Sequence, residues 1–165
     1  MFLKRFLPSA LPLFICSCCL LLAGCGDSYL YDKTIEVQGG AWTYQDTLVF
    51  RFDIPDTAQH YTMLLDVTHA GDYGFQNLYV QFHTTHPSGK TDARPISLEL
   101  ADPSGVWYGK CSGNDCTVEI ALQEKAIFRE AGTYTLAVEQ FMRQSPLPGV
   151  KKMRLRIGRL ESRKK

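Results

Sequence analysis

Apolar and polar residues alternate with a period of two along most of the chain. In TLVFRFDI, Leu48, Phe50, Phe52 and Ile54 fall on one side, and Arg51 and Asp53 on the other. The same rhythm places Tyr61, Met63, Leu65 and Val67 together in YTMLLDVTH, and Leu78, Val80 and Phe82 together in NLYVQFHTT. It recurs at Ile96, Leu98 and Leu100, at Val118, Ile120 and Leu122, and at Tyr134, Leu136 and Val138. Met153, Leu155 and Ile157 close the series, and TIEV, starting at about Thr34, opens it. Successive side chains of a strand point to opposite faces, so each stretch predicts a strand with one buried face, about eight in all.

Turn-forming clusters separate these stretches: Gln38-Gly39-Gly40, Pro55-Asp56, Gly71-Asp72, Pro87-Ser88-Gly89, Asp102 to Gly105, Ala131-Gly132 and Pro146 to Gly149. Short strands divided by Gly and Pro predict a single antiparallel β-sandwich, immunoglobulin-like or jelly-roll-like, over residues 34–158. Gln123 to Glu130 is the one helical candidate; short and uncapped, it is expected to be a loop or a single turn. Tyr134, entering a strand after a turn glycine, is expected to cap the core and send its hydroxyl to backbone.

The amino-terminal stretch breaks the alternation. Lys4 and Arg5 precede an uncharged run from Phe6 to Leu22, followed by Ala23, Gly24 and Cys25. That order reads as an export signal over residues 1–24. The run of 17 residues is at the lower limit for spanning a bilayer, and Pro8 and Pro12 weaken it as a helix. Leu22-Ala23-Gly24-Cys25 resembles the bacterial lipobox, which implies that the Cys25 thiol carries lipid. Residues 25–33 would then form a short tether and residues 159–165 a basic end.

Cleavage would remove Cys16, Cys18 and Cys19, leaving Cys111 and Cys116 as the free pair. In an exported chain a disulfide between them is the first expectation, with two reduced thiols on a loop as the alternative. Charge is divided too. From Cys25 to Val150 there are 8 Lys and Arg against 16 Asp and Glu, whereas 8 basic residues and one acidic residue follow. Export argues against nucleic acid as the partner of that basic end. Lys151, Arg154 and Arg156 are expected on a solvated strand face, with anionic lipid as an alternative contact for the end.

Catalytic and metal chemistry find little support. His83 and His86, three apart in a strand, point to opposite faces. No Gly-x-Ser-x-Gly elbow occurs. Asp102, before Pro103, reads as a turn initiator rather than half of a carboxylate pair with Asp92. No enzyme activity, cofactor or metal site is expected. Trp42, Trp107 and Tyr108 could stack on a sugar if exposed together, which gives the alternative of a glycan- or peptide-binding module. In FMRQSPLPGV, Pro146 and Pro148 set an extended stretch that reads first as a simple crossing between sheets; the alternative is a docking surface that presents Arg143 and Gln144 to a protein partner.

Four stretches, in order after the cysteine, carry a family resemblance: GGAWTYQDTLVFRFDIPDT, NLYVQFHTTHPSGKT, LELADPSGVWYGK and FREAGTYTLAVEQFMRQSPLPGVKKMRLRI. From about Tyr29 to Gly158 the chain resembles the gliding motility-associated lipoprotein family GldH of Bacteroidetes. The resemblance implies a lipid-anchored, periplasm-facing envelope protein of the cell membrane or outer membrane. It would be a non-enzymatic support for the gliding apparatus and its secretion machinery, with membrane-associated protein partners. It names no catalytic residue. The Cys111/Cys116 pair and the terminal RLESRKK lie outside the family pattern.

Overall fold

The computed structural model describes residues 29–160, so Cys25 and the signal segment lie outside the described residues. Eight long strands carry the domain: β1 (Tyr31–Glu36), β3 (Thr47–Ile54), β4 (Tyr61–Ala70), β5 (Asn77–Thr85), β6 (Thr91–Glu99), β8 (Asp115–Ala126), β9 (Gly132–Gln140) and β11 (Val150–Arg159). Three short strands supplement them: β2 (Ala41–Trp42), β7 (Lys110–Ser112) and β10 (Leu147–Pro148). A 3-10 turn covers Gln38–Gly40, and no α-helix occurs among the described residues.

All pairings are antiparallel. One sheet has the order β1-β11-β4-β8-β7, the other β3-β9-β5-β6, and β10 and β2 form a two-stranded ribbon. The inward residues of both large sheets meet in one core, as a β-sandwich requires. β3 alternates exposed and buried along its whole length, as TLVFRFDI predicts. Phe50, Ile54, Leu65, Leu78, Val138, Met153, Leu155 and Ile157 are buried. Each fully buried Leu, Ile or Phe contributes roughly 1.5–3 kcal/mol of transfer free energy. Tyr134 stacks on Phe52 and donates its hydroxyl to the Glu130 carbonyl at 3.0 Å, the corner expected of it.

The sandwich has two ends. At the proximal end, where β1 begins, Tyr31 pairs with Ile157, Ile157 with Met63, and Met63 with Gln123. At the distal end, Val150 pairs with His69, and His69 with Cys116. β11 runs the whole way between them, ten residues or about 30 Å at ~3.3 Å each.

Three expectations need correction. β1 starts at Tyr31, not Thr34, because the Leu30 amide already donates to the Ile157 carbonyl and the Tyr31 ring packs on Phe52. Gln123 to Ala126 is strand, not loop, because Ala126 still pairs with Tyr61 after register shifts in β4. Arg156 is not solvated. It is buried with Asp66, accepted by Asp66 Oδ1 at 2.5 Å, Glu119 Oε2 at 2.6 Å and the Tyr29 hydroxyl at 2.8 Å. β4 and β11 lie in the interior of their sheet, so their outward polar residues cover one another rather than facing water.

Candidate functional site

The crossing from β9 to β11 is held rigidly at the distal end. Two prolines remove donors from it, and Gly149 adopts a φ of 92° that a side chain would oppose. Leu147 is buried and pairs with Trp42. Gln140, buried in the strand before, staples the loop from inside. Its Nε2 donates to the Gln144 carbonyl at 3.0 Å and its Oε1 accepts from the Met142 amide at 2.9 Å. Outside, the Tyr44 hydroxyl donates to the Met142 carbonyl at 2.8 Å, and the Tyr44 amide to Ser145 Oγ at 3.2 Å. The Phe141 amide donates to the Tyr79 carbonyl at 2.8 Å.

With the backbone so pinned, the side chains of Arg143, Gln144, Pro146 and Pro148 are exposed. Arg143 makes no ion pair among the described residues. Beside them three aromatic rings are exposed: Phe141 at 59 %, Tyr44 at 48 % and Tyr79 at 46 %. Aromatic rings with an arginine, on a surface that needs little ordering, are the composition of an interaction hot spot. Sequence reasoning reached the loop but missed the rings. Tyr79 could have been found, since it occupies the outward phase between Leu78 and Val80. Tyr44 sits in a turn without periodicity and gave no such signal.

The aromatic trio does not assemble. Trp42 is buried, its Nε1 donating to the Asp46 carbonyl at 2.7 Å, because the Gly39-Gly40 turn (φ 69° and 73°) folds it under the sheet. Trp107 is half-buried against His69, with centroids 4.3 Å apart, and its Nε1 points to the Gly71 carbonyl. Tyr108 alone is exposed. One ring is in the core and another leans on a histidine, so the three do not share one exposed face.

Cys111 and Cys116 face each other across β7 and β8 and are joined as a disulfide. Gly113, with φ 59° at the first central position of the two-residue turn, gives the hairpin its primed geometry. His69, buried beneath this hairpin, has its pKa lowered by burial, only partly offset by its bond to the Ala70 carbonyl. His83 meets Glu139 at 3.2 Å and His86 meets Asp92 at 2.7 Å. Among the described residues no three His, Cys, Asp or Glu side chains converge as a metal site would need. Asp102 Oδ1 accepts from the Ser104 amide and hydroxyl and from the Val106 amide, bonds that hold its carboxyl below the usual range. It is a turn residue.

Fold and surface together describe an all-β sandwich domain that presents a rigid aromatic patch at one end. The model of the GldH lipoprotein family matches residues 29–157. A gliding motility lipoprotein GldH homolog of Christiangramia forsetii is 26 % identical over 127 residues, covering 76 % of each chain. The gliding motility lipoprotein GldH of Flavobacterium johnsoniae is 26 % identical over 132 residues, covering 79 % of this chain and 81 % of the relative. Among solved structures, one of infectious bursal disease virus (Gt strain) matches 79 % of this chain and 39 % of its own at 11 % identity, with a TM-score of 0.19. A similarity that low carries no argument. The chain belongs to the GldH lipoprotein family.

Proposed function

We propose that this chain is a lipid-anchored, periplasm-facing, non-enzymatic accessory of a membrane-bound assembly serving gliding motility and the secretion linked to it. Two relatives named for gliding motility support the assignment to that process. The anchor is Cys25, in Leu22-Ala23-Gly24-Cys25. Five residues lie between it and Tyr31, and the chain from one to the other spans at most about 21 Å. The sandwich therefore stays near its bilayer, with membrane-associated proteins as its partners.

The observation that carries the reading is the pinned crossing at the distal end, with Arg143 and the rings of Tyr44, Tyr79 and Phe141 turned outward. The patch lies about 30 Å from the end where the tether arrives, where it can reach a partner while the anchor stays in lipid. The test is crosslinked pull-down of the membrane-bound protein beside Arg143→Glu and Phe141→Ala. Both variants should keep normal abundance and membrane attachment while losing a copurifying membrane protein and colony spreading. Unchanged partners and spreading in both would refute the assignment of this surface.

A further inference from the structure

The sandwich is open along one side at its proximal end. There the outer edges of β6 and β8 stand apart over a cleft of about 590 Å³, within the ~300–1,000 Å³ range of ligand sites. Its floor is apolar: Phe52, Met63, Phe82, Leu122, Phe128 and Leu136. Its rim carries a small excess of positive charge. Lys90, Arg94 and Arg129 stand on it against Asp92 and Glu130; Lys90 and His86 pair with Asp92, while Glu130, held by the Ser88 amide and hydroxyl, keeps its charge. Arg94 and Arg129 make no ion pair among the described residues.

We propose that this cleft holds one acyl chain of an anionic phospholipid, with Arg94 and Arg129 on the headgroup. Three observations select that occupant. The apolar floor under unpaired guanidinium groups matches a molecule with a long hydrocarbon body and a negative end. The cleft lies at the end where the chain arrives, since Tyr31 packs on Phe52, a floor residue, and only three residues lie between Cys25 and Tyr29. The same end carries exposed Ile127, at 66 %, together with Leu30 and Leu160, apolar side chains suited to the headgroup boundary. An added polypeptide strand suits the cleft less. β6 carries Pro95, and Asp92 and Arg94 stand near it, the residues by which edge strands resist pairing. The orientation toward the bilayer rests on the anchor reading above; the lipid chemistry of the cleft does not.

The test uses the full-length protein in vesicles that contain phosphatidylglycerol with a photoactivatable diazirine at the end of one acyl chain. After irradiation, digestion should place the label on peptides containing Met63, Leu122 or Phe128. Phosphatidylcholine with the same diazirine should label them several-fold less. Arg94→Gln and Arg129→Gln should each lower cleft labelling roughly fivefold, about the worth of one basic residue at a charged surface. Leu122→Arg should abolish it, and unchanged circular dichroism would show that variant to be folded. Label confined to residues before Tyr31 or after Leu160 would overturn the proposal. So would equal labelling from the two lipids, absence of label, or a polypeptide crosslinked at the same residues. The mass of the Cys25 peptide in the same digest reads the anchor separately, so an unmodified Cys25 beside a labelled cleft would sink the anchor and spare the cleft.

Discussion

Replacing Arg156 by Met should cost this domain about 3 kcal/mol. The side chains of Arg156 and Asp66 are 10 % and 11 % exposed and meet at 2.5 Å. Burial alone would discourage the arginine's charge, but Glu119 and Asp66 more than offset it and raise its pKa. Glu119, at 59 % side-chain exposure, is screened by water, so its share counts for less in stability than its bond to the guanidinium would suggest. Two unit charges about 4 Å apart attract by roughly 4 kcal/mol at an effective dielectric of about 20. Removing one partner of a buried pair costs about 3–5 kcal/mol, because the other charge stays desolvated and alone. Arg154, 3.9 Å from Asp66 Oδ2, partly compensates, which places the loss at the lower end. Against a total stability on the order of 10 kcal/mol, urea denaturation read by circular dichroism should show the change as a lower midpoint with an unchanged slope. Arg156→Met with Asp66→Leu should recover most of the loss, since a packed apolar pair needs no counter-charge. A single variant within about 1 kcal/mol of the parent, or a double variant that is simply additive, would show that the pair is not the buried unit described.

Stability should fall with acid in two stages. Burial keeps His69 neutral and holds its folded-state pKa below the ordinary value, so the unfolded chain takes the proton first. Stability should be full above about pH 6.5 and fall as pH drops from there toward the lowered folded-state pKa; His69→Phe should flatten that slope, and an unflattened slope counts against it. A second stage should follow at lower pH, where Asp32, whose pKa is lowered chiefly by its bond to Arg154, takes up its proton. Reduction of Cys111–Cys116 should remove about 2 kcal/mol, the chain-entropy value for so short a loop, measured as a midpoint shift on adding reductant. A Cβ at Gly109 would lie 2.0 Å from the Thr117 carbonyl oxygen, so Gly109→Ala should cost about 3 kcal/mol as backbone is forced aside. Thermal melts of that variant would check it, and wild-type stability would mean that β8 can yield at this point.

What was legible in the sequence was the inward face of each strand. Phe50 between Val49 and Arg51 needs only its neighbours to be placed, and the same holds for Leu136 and Leu155. The outward faces were harder, because their fate depends on which strand lies alongside. Asp66 and Arg156 are 90 residues apart, and neither announces the other; alternation made Arg156 look solvated. The place of Trp42 was left open for a related reason. A ring after two glycines can turn either way, and its burial depends on Leu147, more than a hundred residues on. The cleft was invisible for the same cause, since its floor takes residues from β3, β4, β5, β8 and β9. The patch was half legible, through the donor-poor Pro146 and Pro148.

On the function proposed above, the two ends of the sandwich divide the work that a tethered connector must do. Strands running its length couple them through a close-packed core, so force or position at one end reaches the other with little slack. At the proximal end the chain arrives beside a cleft with an apolar floor and unpaired arginines. At the distal end the surface is aromatic and fixed by a buried glutamine. A diffusible binding protein would gain nothing from separating these features by the whole length of β11. A part that holds a neighbour at a set height above a bilayer would gain from it, since the short tether proposed above would limit how far the height can vary. That argument stands on the separation of the ends rather than on either surface alone. Lengthening the tether between Cys25 and Tyr31 by about ten Gly/Ser residues, with both surfaces intact, should therefore weaken spreading; full spreading with the long tether would mean that the height is not what the domain supplies.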